Sequence, residues 1–474
     1  MSAPPVGFKA LLRDLTKSRA GLTGVSILLA LTIVTASVVG LYGYDVVTKW
    51  NDPFAWFENP RLAAPEWSQI FYQKRLPKTI MLRESDFIRS EYVAGEESLK
   101  YVNLEGTFFY GYDDFPSEIN LLISGTFGEY RPLVKIQWIR PDGNVVFCTS
   151  QVLENRNASI FISGDDRVRE NVVDFMFAQG LTPDPKRVVT QVALFAQIDE
   201  GMGDPTSARV LKSDSSGTAL PYRILVQATM HGYNETISAK LIVYGKLYGL
   251  AGTDNRRRDL LIGILWGAPV ALAFGLISSV SSALVQTVLG ALGAWYGGWT
   301  DELIQRVTDV YLVIPFLPVL ITVSFIYKLT IWSVLIVLVV LSLFGGLTKS
   351  TRSMVLQIKE EPYIEAAVSY GASKPRILTL YILPRIMPYA FANIVSSVPA
   401  YVFLEAALSL LGLGDPIVPT WGKIISEAYS GGAVYYGFWW WVMIPSVLVF
   451  VTAAAFALIA YSFDKILNPR LREE

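Results

Sequence analysis

Long uncharged runs alternate with polar stretches along this chain, and the length of each run decides how it is read. Ala20–Tyr44 is uncharged and follows Lys9, Arg13, Lys17 and Arg19. About 20 apolar residues suffice to cross a bilayer, and no small-residue cleavage site stands out after the run, so the expectation is an uncleaved first span at 20–44, with a secretory signal peptide as the alternative. Its basic flank places residues 1–19 in the cytoplasm. Further apolar runs cover Val310–Tyr327, Leu329–Thr348, about Pro388–Leu411 and about Phe438–Tyr461. The first two are hinged at Lys328, the third is kinked near Pro399, and the last is anchored at the interface by Trp439-Trp440-Trp441. No charge occurs between Asp259 and Asp301, which is too long for a simple span. Two short spans or one span with an interfacial segment fit that length. If the preceding domain is outside and the loop after Gly371 inside, an odd number of crossings is required here, hence one. Glycines 290, 293, 297 and 298 allow close helix contacts.

Between Asp45 and Tyr248 the period changes. Tyr101–Leu104, Glu118–Ile123, Leu133–Ile139, Arg223–Thr229 and Thr236–Tyr244 read as strands, and Pro141-Asp142-Gly143-Asn144 as a turn. This predicts a β-rich, sandwich-like domain at 45–250. Asn157-Ala158-Ser159 and Asn234-Glu235-Thr236 are glycosylation acceptor triplets, so Asn157 and Asn234 are candidates and give weak support to an external location. Asp113-Asp114 and Asp165-Asp166 have calcium-ligand chemistry, but isolated acidic pairs more often stabilise turns.

A polar, helix-prone island at Lys359–Pro384 interrupts the apolar runs. Pro362 suits a first helical turn, Ile364, Ala367 and Val368 share a face, and Gly371 suits the left-handed residue beyond a C-terminus. Ser373 is a candidate cap for a second helix, with Pro375 in its first turn and Ile377, Leu378 and Tyr381 on its apolar side. Positive charge at Lys349, Arg352, Lys359, Lys374, Arg376 and Arg385 places 349–385 in the cytoplasm. The plain alternative is an ordinary basic loop.

Glu365-Ala366-Ala367, Gly371 and Leu383-Pro384 resemble the EAA signature of ABC importer permeases, with Tyr381 where the pattern has isoleucine. The resemblance implies that Glu365, Ala366, Ala367, Gly371, Leu383 and Pro384 dock the membrane subunit onto an ATPase. Gly252-Thr253-Asp254-Asn255-Arg256-Arg257-Arg258-Asp259 is similar to the GTDxxGRD sequence of the dipeptide/oligopeptide/nickel branch, with Arg257 in place of glycine. The branch implies an external position for it, whereas three arginines favour the cytoplasm. Tyr296-Gly297-Gly298-Trp299, Asp301, Arg306, Asp309 and Pro315 also resemble that branch, as does Glu405–Gly414 followed by Trp421-Gly422. The resemblance runs from Gly252 to Arg470 and loosely over the first span, leaving the 45–250 domain unexplained.

Composition adds what the chain is not. With 52% hydrophobic residues and a mean hydropathy of +0.39 it is an integral membrane protein, and its net charge of -1 hides the segregation of basic residues into loops. Cys148 and His231 each stand alone, which removes an intramolecular disulfide, cysteine metal sites and most histidine catalysis. No phosphate-binding G-x-x-x-x-G-K-[ST] occurs; Gly345–Ser350 lacks the glycine before lysine. No catalytic residue, metal ligand or cofactor is therefore assigned to this chain, and ATP with magnesium is expected on partner subunits.

The expected fold is an α-helical polytopic membrane protein of six transmembrane helices, the type I ABC importer permease fold implied by the resemblance. The large β-rich extracytoplasmic domain is inserted between helices 1 and 2, the permease domain occupies 251–464, and 465–474 are cytoplasmic. The resemblance implies a second permease, two cytoplasmic ATPases and an external solute-binding protein as partners in a plasma membrane. Short peptides are the expected cargo, with oligosaccharides or nickel as alternatives; nucleic acid is not a partner. Glu405, an acid in an apolar span, is a candidate for the pathway or for a structural hydrogen bond. A membrane-anchored receptor and a membrane-embedded transferase are rival readings, the first predicting no EAA loop and the second needing a catalytic constellation.

Overall fold

The apolar run after Ser18 forms α1 (Arg19–Tyr42), whose N-terminus is capped by Ser18 Oγ accepting from the Gly21 amide at 3.3 Å. The computed structural model describes residues 15, 18–94, 99–198, 209–212, 220–232, 234–327 and 330–467. The expected hinge at Lys328 and most of both termini lie outside them. Two units result: residues up to Asp52 with Ile262 onward, and Pro53–Leu261.

In the first unit the uncharged stretch after Asp259 is one helix, α2 (Leu260–Tyr296), of 37 residues. At 1.5 Å per residue it is about 55 Å long, well beyond a hydrocarbon core of ~30 Å. The next two apolar runs are not straight. α3 (Gly298–Val313) and α4 (Phe316–Tyr327) meet at 80°, and α5 (Ile331–Leu341) and α6 (Gly346–Lys359) at 42°. Pro315 forces the first break, because the residue before a proline is pushed out of the helical region and Ile314 is extended. Extended Gly345 precedes α6 at the second break. The expected uninterrupted Val310–Tyr327 and Leu329–Thr348 spans are thus corrected to bent pairs. Four described helices are long and apolar enough to cross a membrane, and the bent pairs raise the number to as many as six. This is a polytopic α-helical membrane protein.

The last helix, α7 (Trp439–Leu467), packs along α1, and Ser18 and Ser462 join them by a hydroxyl hydrogen bond of 3.0 Å. A side chain at Gly24 would collide with the Ala455 carbonyl, so small residues set this approach.

The second unit is a sandwich of two antiparallel sheets. Its strands are β1 (Ile80–Leu82), β2 (Phe87–Ala94), β3 (Leu99–Phe108), β4 (Glu118–Thr126), β5 (Leu133–Ile139), β6 (Val145–Val152), β7 (Asn157–Ile160), β8 (Tyr222–His231) and β9 (Thr236–Tyr244). One sheet has the order β1-β9-β4-β7 and the other β2-β3-β8-β5-β6. Alternate residues of both, including Leu121 and Ile123 on β4 and Val134, Ile136 and Trp138 on β5, fill a single core. A helix at Asp166–Ala178 covers β6, an element the strand alternation did not predict. Asp165 caps it by accepting from the Arg167 amide at 2.8 Å, and Asp166 pairs with Arg169. Asp113 pairs with Lys212 and Asp114 with Lys246, so all four acids serve turns, caps and ion pairs. Asn157 and Asn234 are both exposed.

Two of the three arginines before α2 are held inside this unit by their side chains, whereas Arg256 is exposed. Buried Asp254 accepts from the Arg256 and Arg258 amides at 2.8 and 2.9 Å and from Arg258 Nε at 2.5 Å. Burial pushes its carboxyl above the usual range, against the pull of Arg258. Arg257 has φ +66°, the left-handed region that explains why a glycine suits this position. Its guanidinium lies 4.2 Å from the Tyr244 ring centre, pairs with Glu118 and donates to the Asn59 carbonyl at 2.9 Å. These contacts offset the backbone strain of about 1–2 kcal/mol. Arg257→Ala removes them and keeps the strain, whereas Arg257→Gly removes them and relieves it. The alanine variant is therefore expected to be the less stable by about 1 kcal/mol, read from the unfolding transition of the β-rich unit.

Candidate functional site

The polar island folds as a short helix, a glycine turn and the start of a very long helix. α8 (Pro362–Ser369) opens with Pro362 in its first turn and ends in a pair of bonds about Gly371. The Gly371 amide donates to the Val368 carbonyl at 2.9 Å and the Ala372 amide to the Ala367 carbonyl at 3.0 Å. That closure needs a left-handed residue, and Gly371 has φ +77°. Ser373 then precedes α9 (Lys374–Ile377), but its side chain makes no capping bond; Pro375 in the first turn leaves fewer amides to cap.

The expected separate second helix does not end before the next span. From Lys374 the chain is helical up to the turn at Gly412, by way of a π turn at Leu378–Ile382 and α10 (Leu383–Leu408). Pro384 supplies the cause: it has no amide, and its ring displaces the carbonyl one turn back, so the chain opens to an i→i+5 turn in which the Leu383 amide reaches the Leu378 carbonyl. Leu383-Pro384 thus marks the junction of loop and span.

One apolar seam holds this unit. Ile364 and Ala367 from α8, with Ile377, Leu378, Ile382 and Ile386, pack on Ala291, Ala294 and Trp295 of α2 and on Val355 and Ile358 of α6. Val368 and Tyr381, expected on the inner faces, are exposed, and Ile382 takes the inward place. Glu365 and Ala366 point to solvent with Tyr370 beside them, and Leu383 is half-buried. The result is an exposed acid, small residues and an aromatic on a rigid platform. Polar contacts fix its base. Arg352 donates to both Asp301 oxygens at 2.7 and 2.6 Å, Lys349 pairs with Asp309, and Lys359 lies 5.8 Å from the Trp295 ring centre. Charge pattern alone did not pair Asp301 and Asp309 with the island; the fold brings them to α6.

The glycines of α2 divide by role. A side chain at Gly290 would collide with the Thr348 carbonyl, and one at Gly293 would press on Asp301, so both admit neighbours. Gly297 and Gly298 have open space around them and positive φ, and therefore make the turn into α3 rather than a helix contact.

Glu405 is buried on α10 and accepts from Ser409 Oγ at 2.9 Å. It borders a cavity of about 10 Å³, lined also by Phe274, Val334 and Asp415, which is room for one water and not for a solute. Beyond it Gly412, at φ +81°, turns the chain, and Asp415 receives the Ile331 amide at 3.1 Å and the Ile417 and Val418 amides at 2.8 and 2.9 Å. Trp421 is buried and donates to the Ile264 carbonyl at 2.8 Å. Sequence reasoning missed the role of Asp415; an acid followed by proline in a glycine-rich turn was the available signal. Among the described residues no group of His, Cys, Asp and Glu could hold a metal ion.

The profile of a family described as binding-protein-dependent transport system inner membrane component matches residues 286–473. A protein of Brucella suis biovar 1 assigned as a peptide transport system permease is 33% identical over 228 residues, 48% of this chain and 75% of that protein. The oligopeptide transport system permease of Bacillus subtilis is 27% identical over 223 residues, 47% of this chain and 72% of its own length. A glutathione transport system permease of Pectobacterium atrosepticum is 31% identical over 222 residues, with the same coverage of 47% and 72%.

Gly290→Val, which forces a side chain against the Thr348 carbonyl, is expected to cost about 2 kcal/mol and to lower the thermal unfolding midpoint in detergent. Gly298→Ala meets open space and tests only the positive φ, so it should cost about 1 kcal/mol.

Proposed function

This chain belongs to the family of binding-protein-dependent transport system inner membrane components, and from that premise we propose that it is the permease subunit of an ATP-driven importer of short peptides. It forms half of the translocation pathway; a second permease forms the rest, two cytoplasmic ATPases bind ATP and magnesium, and a solute-binding protein delivers cargo. The observation that carries this reading is the α8–Gly371–α9 platform: a short helix with outward Glu365, Ala366 and Tyr370, rigidly seated on α2 and α6 and continuous with a span. A platform so built passes a push on its outer face directly into α10. Closure of the ATPase pair would thereby switch the pathway between outward- and inward-facing states.

Peptides are favoured over oligosaccharides or nickel because the relatives above carry peptide, oligopeptide and glutathione in their names. In the proposed topology six crossings put both termini in the cytoplasm and the β-rich unit outside. The paired state of Arg257 and Arg258 supports that placement, since arginines neutralised by Glu118 and Asp254 no longer act as a free cytoplasmic anchor.

Two measurements test the reading. In reconstituted membranes with both ATPases, Gly371→Val should abolish most co-purification and substrate-stimulated ATP hydrolysis, because a β-branched residue resists φ +77° by roughly 1–2 kcal/mol. Glu365→Ala should weaken docking by at most about 1 kcal/mol, as befits an exposed acid. Full association of Gly371→Val would remove this platform from coupling. Glu405→Gln should lower transport while assembly persists; unchanged transport would assign Glu405 to structure alone.

A further inference from the structure

The β-rich unit carries a rigid apolar wedge that its core does not use. Glu66–Phe71 forms a short 3-10 helix, which places Trp67 and Ile70, three residues apart, on one side. Ile70 is 84% exposed and Phe71 72%, and Trp67 and Leu250 are exposed beside them. Trp67 and Phe71 meet edge to face, and Trp67 Nε1 donates to the Leu250 carbonyl at 2.8 Å. The wedge is held in shape rather than left to collapse. Ser68 is buried, and Gln69 ties the following segment back by accepting from the Leu76 amide at 2.8 Å and donating to the Lys74 carbonyl at 2.8 Å. The Glu66 amide donates to the Gly249 carbonyl at 2.9 Å and the Tyr248 amide to the Ala64 carbonyl at 2.8 Å. Exposed Tyr72, Lys74 and Arg75 flank the apolar tip.

We propose that this wedge inserts into the interfacial layer of the bilayer that the same chain spans. Its chemistry is that of an interfacial anchor: a tryptophan and a tyrosine with an indole and a phenol at headgroup depth, Ile70 and Phe71 reaching the acyl boundary, and two cations for lipid phosphates. Continuity of the chain supplies the occupant. Leu250 precedes α2, the unit begins at Pro53 shortly after α1, and both helices are apolar enough to cross a membrane. A lipid surface is therefore always within reach of these segments. A soluble domain rarely keeps so many large apolar groups fixed in water without a partner. The proposal rests on the membrane nature of the chain and not on its cargo.

The test uses the full chain in vesicles of phosphatidylcholine and phosphatidylglycerol. Cys148 is buried, and burial pushes its thiol up to about 12, so an introduced cysteine is labelled alone. Phe71→Cys and, separately, Ile70→Cys receive an environment-sensitive fluorophore. Tyr130→Cys is the reference, since Tyr130 follows the Thr126 end of β4, the opposite end from the β9 terminus that leads to Leu250. Labels at positions 70 and 71 are expected to be quenched about threefold more by a nitroxide on the lipid chain than the reference label, and correspondingly less by aqueous iodide. Lys74→Glu with Arg75→Glu should shrink that difference in the anionic vesicles and leave it unchanged in phosphatidylcholine alone. Iodide quenching equal to the reference overturns the proposal, and protection from both quenchers overturns it in favour of a protein partner.

Discussion

The seam between α8 and the ends of α2 and α6 is the contact on which the rest of the platform depends. α8 buries only Ile364 and Ala367, and a helix of eight residues is too short to persist by itself. It stays folded because Ala291, Ala294, Trp295, Val355 and Ile358 give those two residues a dry surface. The outward side is then free to carry an acid and aromatics with no structural duty. Burial on one face and an exposed acid and aromatics on the other are two consequences of the same helix.

Glycine and proline decide where the helices stop, bend and continue. Pro315 breaks one apolar run at 80°, and Gly371 closes α8 with a left-handed residue. Pro384 has the opposite effect. It widens the ladder to a π turn yet lets the helix run on, so that the second half of the island, from Lys374, and the following span form one continuous helix up to Gly412. A separate loop would flex between platform and membrane; a continuous helix transmits displacement. Under the proposed function, this continuity is what suits the geometry to coupling.

The β-rich unit solves a different problem. Its two sheets share one core, while the segment that leaves it for α2 turns sharply at Arg257. A glycine would make that turn without strain and without contacts. Arginine makes it with strain and repays it by stacking on Tyr244 and pairing with Glu118, which ties the exit of the unit to β4 and β9.

Much of this was legible in the sequence, for identifiable reasons. Apolar runs must satisfy their backbone internally in lipid, so length alone marked the helices, and the period-2 alternation of Leu133–Ile139 and Thr236–Tyr244 marked strands that form with those bounds. Gly371 was readable because only one backbone conformation closes such a turn cheaply. The rest depended on partners far along the chain. That Val368 and Tyr381 face outward, that Asp301 meets Arg352, and that Asp415 holds the start of α5 follow from which helices lie together. The β6-covering helix had a readable signal that was missed, the Asp165 cap followed by Val168, Val172, Val173 and Met176 at helical spacing, whereas the bend angles were hidden because a proline or glycine announces a break but not its direction. Local stereochemistry is written residue by residue; which faces meet is decided only when the whole set of apolar surfaces is buried together.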